Sequence, residues 1–175
     1  MHVRTRKLVF GGLMLAVTML CLYLGKVIES NTLFLLAAAS YFVGIVYRET
    51  GAKMAVAFYI SALLLGFFLT PDKFYLLSYG AMGLYILFNE WVYFKIRKQE
   101  HIRSRAAAFW IVKYIAFNVL YIPGIYFFQR LLFGKMLPLW MFLCVLAMGQ
   151  VAFFLYDRAY EYVQGNLWNK VRNYR

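Results

Sequence analysis

Apolar residues in this chain come in long continuous runs, broken by short polar stretches, and not in the two-residue alternation of strands. Six runs can be traced, over residues 8–25, 32–47, 54–69, 75–94, 106–128 and 136–156. A helix crosses a bilayer with roughly 20 mainly apolar residues, whereas a spanning strand alternates and needs a closed barrel. The pattern predicts an all-α polytopic membrane protein with six transmembrane helices. The second and third runs are short for a crossing, so they are expected to recruit flanking residues or to sit where the bilayer thins. The six runs take up most of the 175 residues. One transmembrane domain is therefore expected over residues 1–157, with a tail over residues 158–175 and no separate soluble domain.

Composition agrees: 64% of residues are apolar and 15% charged, against about 25% charged in soluble domains. Arg4, Arg6 and Lys7 precede the first run as in a signal peptide, but no small-x-small cleavage site follows Tyr23. An uncleaved first helix is expected. With the N-terminus placed in the cytoplasm, the inner side receives Arg4, Arg6, Lys7, Arg48, Lys53, Lys95, Arg97, Lys98, Arg103, Arg105, Arg158, Lys170, Arg172 and Arg175. The outer side receives Lys26, Lys73, Arg130 and Lys135, and Lys113 falls within a span. Such a bias over short loops predicts both termini inside. It also accounts for the net charge of +12 without nucleic acid, which would need a soluble basic face. Residues 157–175 interleave Tyr160, Tyr162, Trp168 and Tyr174 with Lys and Arg. That mixture suits a segment lying on the inner membrane surface, or a solvated tail.

Signatures of catalysis are few. Cys21 and Cys144 sit inside apolar runs and have no metal-ligand spacing. There is no His-Glu-x-x-His, Gly-x-Ser-x-Gly or phosphate-cradling glycine loop. Glu90 is the only carboxylate clearly within a span, which disfavours a paired-carboxylate intramembrane protease. No metal, cofactor or enzymatic activity is expected.

Ionisable residues inside a membrane are costly and become functional candidates. Glu90 and Lys113 each lie roughly 7–11 Å from the inner boundary at the helical rise. They are expected to meet as an ion pair if the fourth and fifth helices are neighbours, with Asn89 and Asn118 completing a polar network. The competing reading has Lys113 snorkelling to the interface and Glu90 balancing local charge. Gln150 reads as a helix-packing hydrogen bond.

Toward the outer side, Pro123-Gly124 is expected to kink the fifth helix. Asn31, Tyr75, Tyr79, Tyr121, Gln129, Arg130 and Trp140 are the candidate lining of a ligand pocket there. An interfacial aromatic belt is the alternative. Lys73, Arg130 and Lys135 favour an anionic or electron-rich ligand, partly offset by Asp72. Small residues four apart let helices approach closely. Gly12 and Ala16 form such a pair in the first helix, as do Gly51 and Ala55, and Ala62 and Gly66. Gly12 and Ala16 serve either packing within the chain or docking of a partner helix.

Across residues 8–156 the chain resembles the substrate-capture subunit, or S component, of energy-coupling factor transporters. The likeness is carried by size, helix number and charge pattern, and by the segment FLLAAASYFVGIVYRETGAKMAVAFYISALLLGFFL over residues 34–69. It is carried too by Gly12-x-x-x-Ala16, which falls where the family has an Ala-x-x-x-Ala-like motif, with Gly replacing the first Ala. The resemblance implies a bacterial plasma-membrane protein that binds a small, vitamin-like nutrient at its outer face. It would dock through its first helix on a transmembrane coupling subunit served by separate ATPase subunits, and topple in the bilayer as that module works. The rival is a non-catalytic scaffold of the MreD cell-shape type, of similar size and charge pattern. An open outer pocket marks capture; a filled core beside an exposed small-residue groove marks a scaffold.

Overall fold

In the computed structural model the described residues are 2–28, 31–70, 73–97, 105–133 and 138–168. They form α1 (His2–Val27), α2 (Thr32–Thr50), α3 (Ala52–Leu69), α4 (Lys73–Arg97), α5 (Arg105–Phe133) and α6 (Leu139–Tyr162), closed by a π-helical turn, Val163–Trp168. Among the described residues there is no strand. Among the described residues five stretches are long and apolar enough to cross a membrane: Thr5–Val27, Thr32–Thr50, Ala52–Leu69, Phe109–Phe127 and Leu139–Asn166. At 25 residues α4 has the length, but Tyr75, Tyr79, Tyr85, Tyr93, Asn89 and Glu90 make it less apolar.

The second and third helices recruit flanking residues, as expected of short apolar runs, and reach 19 and 18 residues. One expectation changes. The sixth helix does not stop at Tyr156: α6 continues to Tyr162 and carries Asp157 and Glu161 with it. Glu90 is therefore not the only carboxylate within a helix. The apolar run breaks at Asp157 but the helix does not, and the buried carboxylate there is paired with Lys113.

The chain divides into two compact units, Met1–His101 and Ile102–Arg175. In the first, α2 lies against α1, α3 and α4 and is the most buried of the membrane-length helices. Gly51 alone joins α2 to α3, at a φ of 97° that L side chains rarely adopt. Its N–H caps α2 on the Tyr47 carbonyl at 2.9 Å. A core of Leu22, Leu36, Ala39, Ala62, Leu76 and Tyr79 draws on all four helices. On α4, Gly80 and Gly83 admit the Tyr59 ring of α3, whose hydroxyl donates to the Gly80 carbonyl at 2.7 Å.

In the second unit α5 and α6 meet through long side chains. Phe117 stacks on Phe153 with centroids 4.2 Å apart, and Tyr114 meets Phe153 edge-on at 5.1 Å. Tyr121 lies over Gly149 and donates to the Val145 carbonyl at 2.8 Å. Pro123 sits inside α5. In the π-helical turn, buried Gln164 donates to the Tyr160 hydroxyl at 3.3 Å.

Candidate functional site

The residues expected to form one polar network are placed in two separate sets, one in each unit. In the first unit Glu90 is paired with Arg48, not with Lys113. Arg48 donates from Nε and Nη2 to the two Glu90 carboxylate oxygens, at 2.8 and 2.7 Å. Bidentate geometry of this kind is the strongest form of a carboxylate pair. Glu90 is fully buried, whereas the Arg48 side chain is 32% exposed and also faces the Tyr93 ring at 5.3 Å. Beside the pair, Tyr47 stacks on Phe94 at 5.6 Å. Lys7 of α1 donates to the Thr50 carbonyl at 3.5 Å, so the start of α1 and the end of α2 lie together. At the opposite end of the unit, Thr32 donates to the Gly25 carbonyl at 2.8 Å, and Lys73 caps α3 on the Phe67 and Thr70 carbonyls. Asn89, also expected in the network, is buried; its Oδ1 has no hydrogen-bond partner among the described residues.

In the second unit Lys113 does not snorkel. Its side chain is 2% exposed, and the ammonium is held by Asp157 at 2.8 Å and Glu161 at 2.9 Å. The rings of Phe109 and Trp110 stand 4.3 and 5.1 Å away, adding cation–π attraction. Glu161 gives its second oxygen to Arg158 at 3.2 Å. Further along the seam, Gln150 donates to Asn118 and Asn118 to the Tyr114 carbonyl, both at 2.8 Å. Sequence reasoning finds the polar residues on α5 but not their partners, Asp157 at the very end of the expected transmembrane domain and Glu161 beyond it. Their spacing, four apart and continuing the helical face of Phe153, is the signal that was available.

The residues expected to line a pocket divide in the same way. Asn31 is exposed at the turn before α2. Tyr79 is fully buried in the four-helix core, and its hydroxyl has no hydrogen-bond partner among the described residues. Tyr75 packs against that core, and its hydroxyl lies against Gly25. In the second unit Tyr121 belongs to the α5–α6 seam and Trp140 is exposed at the start of α6. The side chains of Gln129 and Arg130 lie outside the described residues.

The small-residue pair of α1 is placed most simply. Gly12 and Ala16 are exposed on α1, among exposed Leu8, Val9, Leu13 and Leu20. A Cβ built on Gly11 or Gly12 meets nothing within 4 Å. The packed side of α1 is defined instead by buried Phe10, Thr18 and Leu22.

Among the described residues no group of His, Cys, Asp and Glu is arranged to hold a metal ion. The apolar membrane-length helices, with charged residues neutralised in their interior, define a multi-pass membrane protein. Comparison of the chain with family models, curated proteins and solved structures finds no match.

Proposed function

We propose that this protein is a non-enzymatic subunit of a bacterial plasma-membrane complex, of the S-component type, docking through α1 on a partner membrane helix and capturing a small nutrient for an ATPase-driven module. The observation that carries the docking is the exposed Gly12 and Ala16 face, with open space where a Gly12 side chain would stand. Small residues there let a partner helix approach closely, whereas lipid chains would accommodate Leu equally well. The capture function rests on the sequence resemblance over residues 8–156, and the orientation, both termini inside, on the distribution of Lys and Arg.

A second reading, a scaffold without a ligand, is favoured by the enclosure of Tyr79. Of the two pocket residues expected on α4, Tyr79 is part of a filled core and Tyr75 packs against it.

Purification of the tagged protein from its native membranes in mild detergent, with partners identified by mass spectrometry, separates the readings. Recovery of an ATPase pair and a coupling membrane subunit, lost on Gly12→Leu or Ala16→Leu, supports the transporter. Recovery of cell-wall or cytoskeletal proteins supports the scaffold. Isolation of the protein alone would contradict both.

A further inference from the structure

The polar end of the α5–α6 seam has an outward side that its internal ion pairs do not use. Arg158 is 55% exposed. Its guanidinium lies 4.9 Å from the Trp110 centroid and 5.4 Å from that of Phe154, and those two rings are themselves stacked at 6.1 Å. Of its five N–H donors, one hydrogen bond is made among the described residues, to Glu161 at 3.2 Å. Glu161 is in turn committed to Lys113 at the shorter distance of 2.9 Å. The cluster of Lys113, Arg158, Asp157 and Glu161 is neutral as a whole. Arg158 is thus oriented by two rings and one carboxylate, with most of its donor edge unused.

Below it, toward the middle of α6, an apolar track is exposed on the helical i, i+3/i+4 spacing: Leu155, Val151 and Met148. Exposed Ile111 and Ile115 make a similar track on α5. A planar guanidinium at the head of an apolar track, beside a tryptophan at the end of a span, matches a phospholipid: acyl chain along the track, phosphate at the guanidinium.

We propose that Trp110, Phe154 and Arg158 form a binding site for the phosphate of a membrane phospholipid, in the leaflet where α5 begins and α6 ends. Guanidinium suits phosphate because its N–H groups are arranged for two parallel hydrogen bonds. The ring stacking restrains the side chain, so less rotamer entropy is lost on binding. The site stands whether the protein captures a nutrient or acts as a scaffold, since it depends only on membrane insertion.

Native mass spectrometry of the full-length protein in mild detergent tests it, with phosphatidylglycerol compared against diacylglycerol of the same chains. The wild-type protein is expected to retain the phospholipid about tenfold better, the ratio a charge-assisted hydrogen bond gives. Arg158→Gln should abolish that preference while leaving diacylglycerol retention unchanged, which also reports that the variant is folded. Lys53→Gln, removing an exposed cation of the first unit, should leave the preference intact. Inorganic phosphate at millimolar concentration should not displace the lipid, because it has no chain to fill the track. Absence of a preference in the wild-type protein would overturn the site whatever the variants do. Equal loss in Arg158→Gln and Lys53→Gln would reduce it to general charge attraction, and displacement by inorganic phosphate would make it an anion site without a lipid.

Discussion

The two units of this chain are held together by different means. In the first, helices approach closely because residues at the contacts are small: Ala39 and Ala62 in the core, and Gly80 and Gly83 under the Tyr59 ring. In the second, two helices are bridged by rings and by polar side chains from Lys113 to Tyr121, about 12 Å of helix at the α-helical rise. Lipid chains are as apolar as leucine, so burial of apolar area does not drive helices together in a membrane. What remains is close packing and hydrogen bonding, and each unit leans on one of them.

The comparison breaks most sharply at Lys113. Lys113→Met leaves Asp157, which is 0% exposed, as a buried carboxylate without its cation. Breaking such a pair from one side costs about 3–5 kcal/mol, read as a fall in thermal unfolding temperature in detergent. Adding Asp157→Asn should restore most of the loss, since no unpaired charge then remains. If the single variant unfolds no earlier than the wild type, the seam does not hold the second unit together.

Glu90→Gln is the matching test in the first unit, and a smaller effect is expected, about 1.5–3 kcal/mol. Arg48 is 32% exposed and can turn toward water once its partner is neutral. A loss equal to that of Lys113→Met would erase the distinction between the two pairs.

Gly83→Ala probes packing alone. Its Cβ would stand 2.7 Å from the Tyr59 ring, and overpacking of this kind costs about 1–3 kcal/mol. Gly12→Ala, where nothing lies within 4 Å, should instead raise stability by up to about 1 kcal/mol through helix propensity. Opposite signs at the two glycines, measured in the same unfolding assay, would show that one is a packing glycine and the other is not. The smallest effect belongs to Gln150→Leu, which removes one hydrogen bond to Asn118 at about 0.6 kcal/mol.

Much of the helical framework was legible in the sequence because the membrane imposes one rule on every span: roughly 20 apolar residues with internally satisfied backbones. Partner choice was not legible. Glu90 and Lys113 looked complementary at similar depths, yet each is held within its own unit, by Arg48 and by Asp157 with Glu161. Depth follows from residue number; neighbours follow from packing. The same limit applies to Asp157. As the residue that ends an apolar run it reads as the start of a tail, and only the position of Lys113 on the facing helix makes it an interior residue. Tyr79 shows the converse, since a tyrosine near a helix end reads as a belt or a pocket until four helices are seen to close around it.

The docking role proposed for α1 is tested most directly by a photo-activatable amino acid placed at position 12 and, in separate variants, at 16 and 115, cross-linked in native membranes. Adducts to another membrane protein from positions 12 and 16, but none from the exposed position 115 of α5, are the expected result. Only lipid adducts from positions 12 and 16 would contradict a docking face on α1.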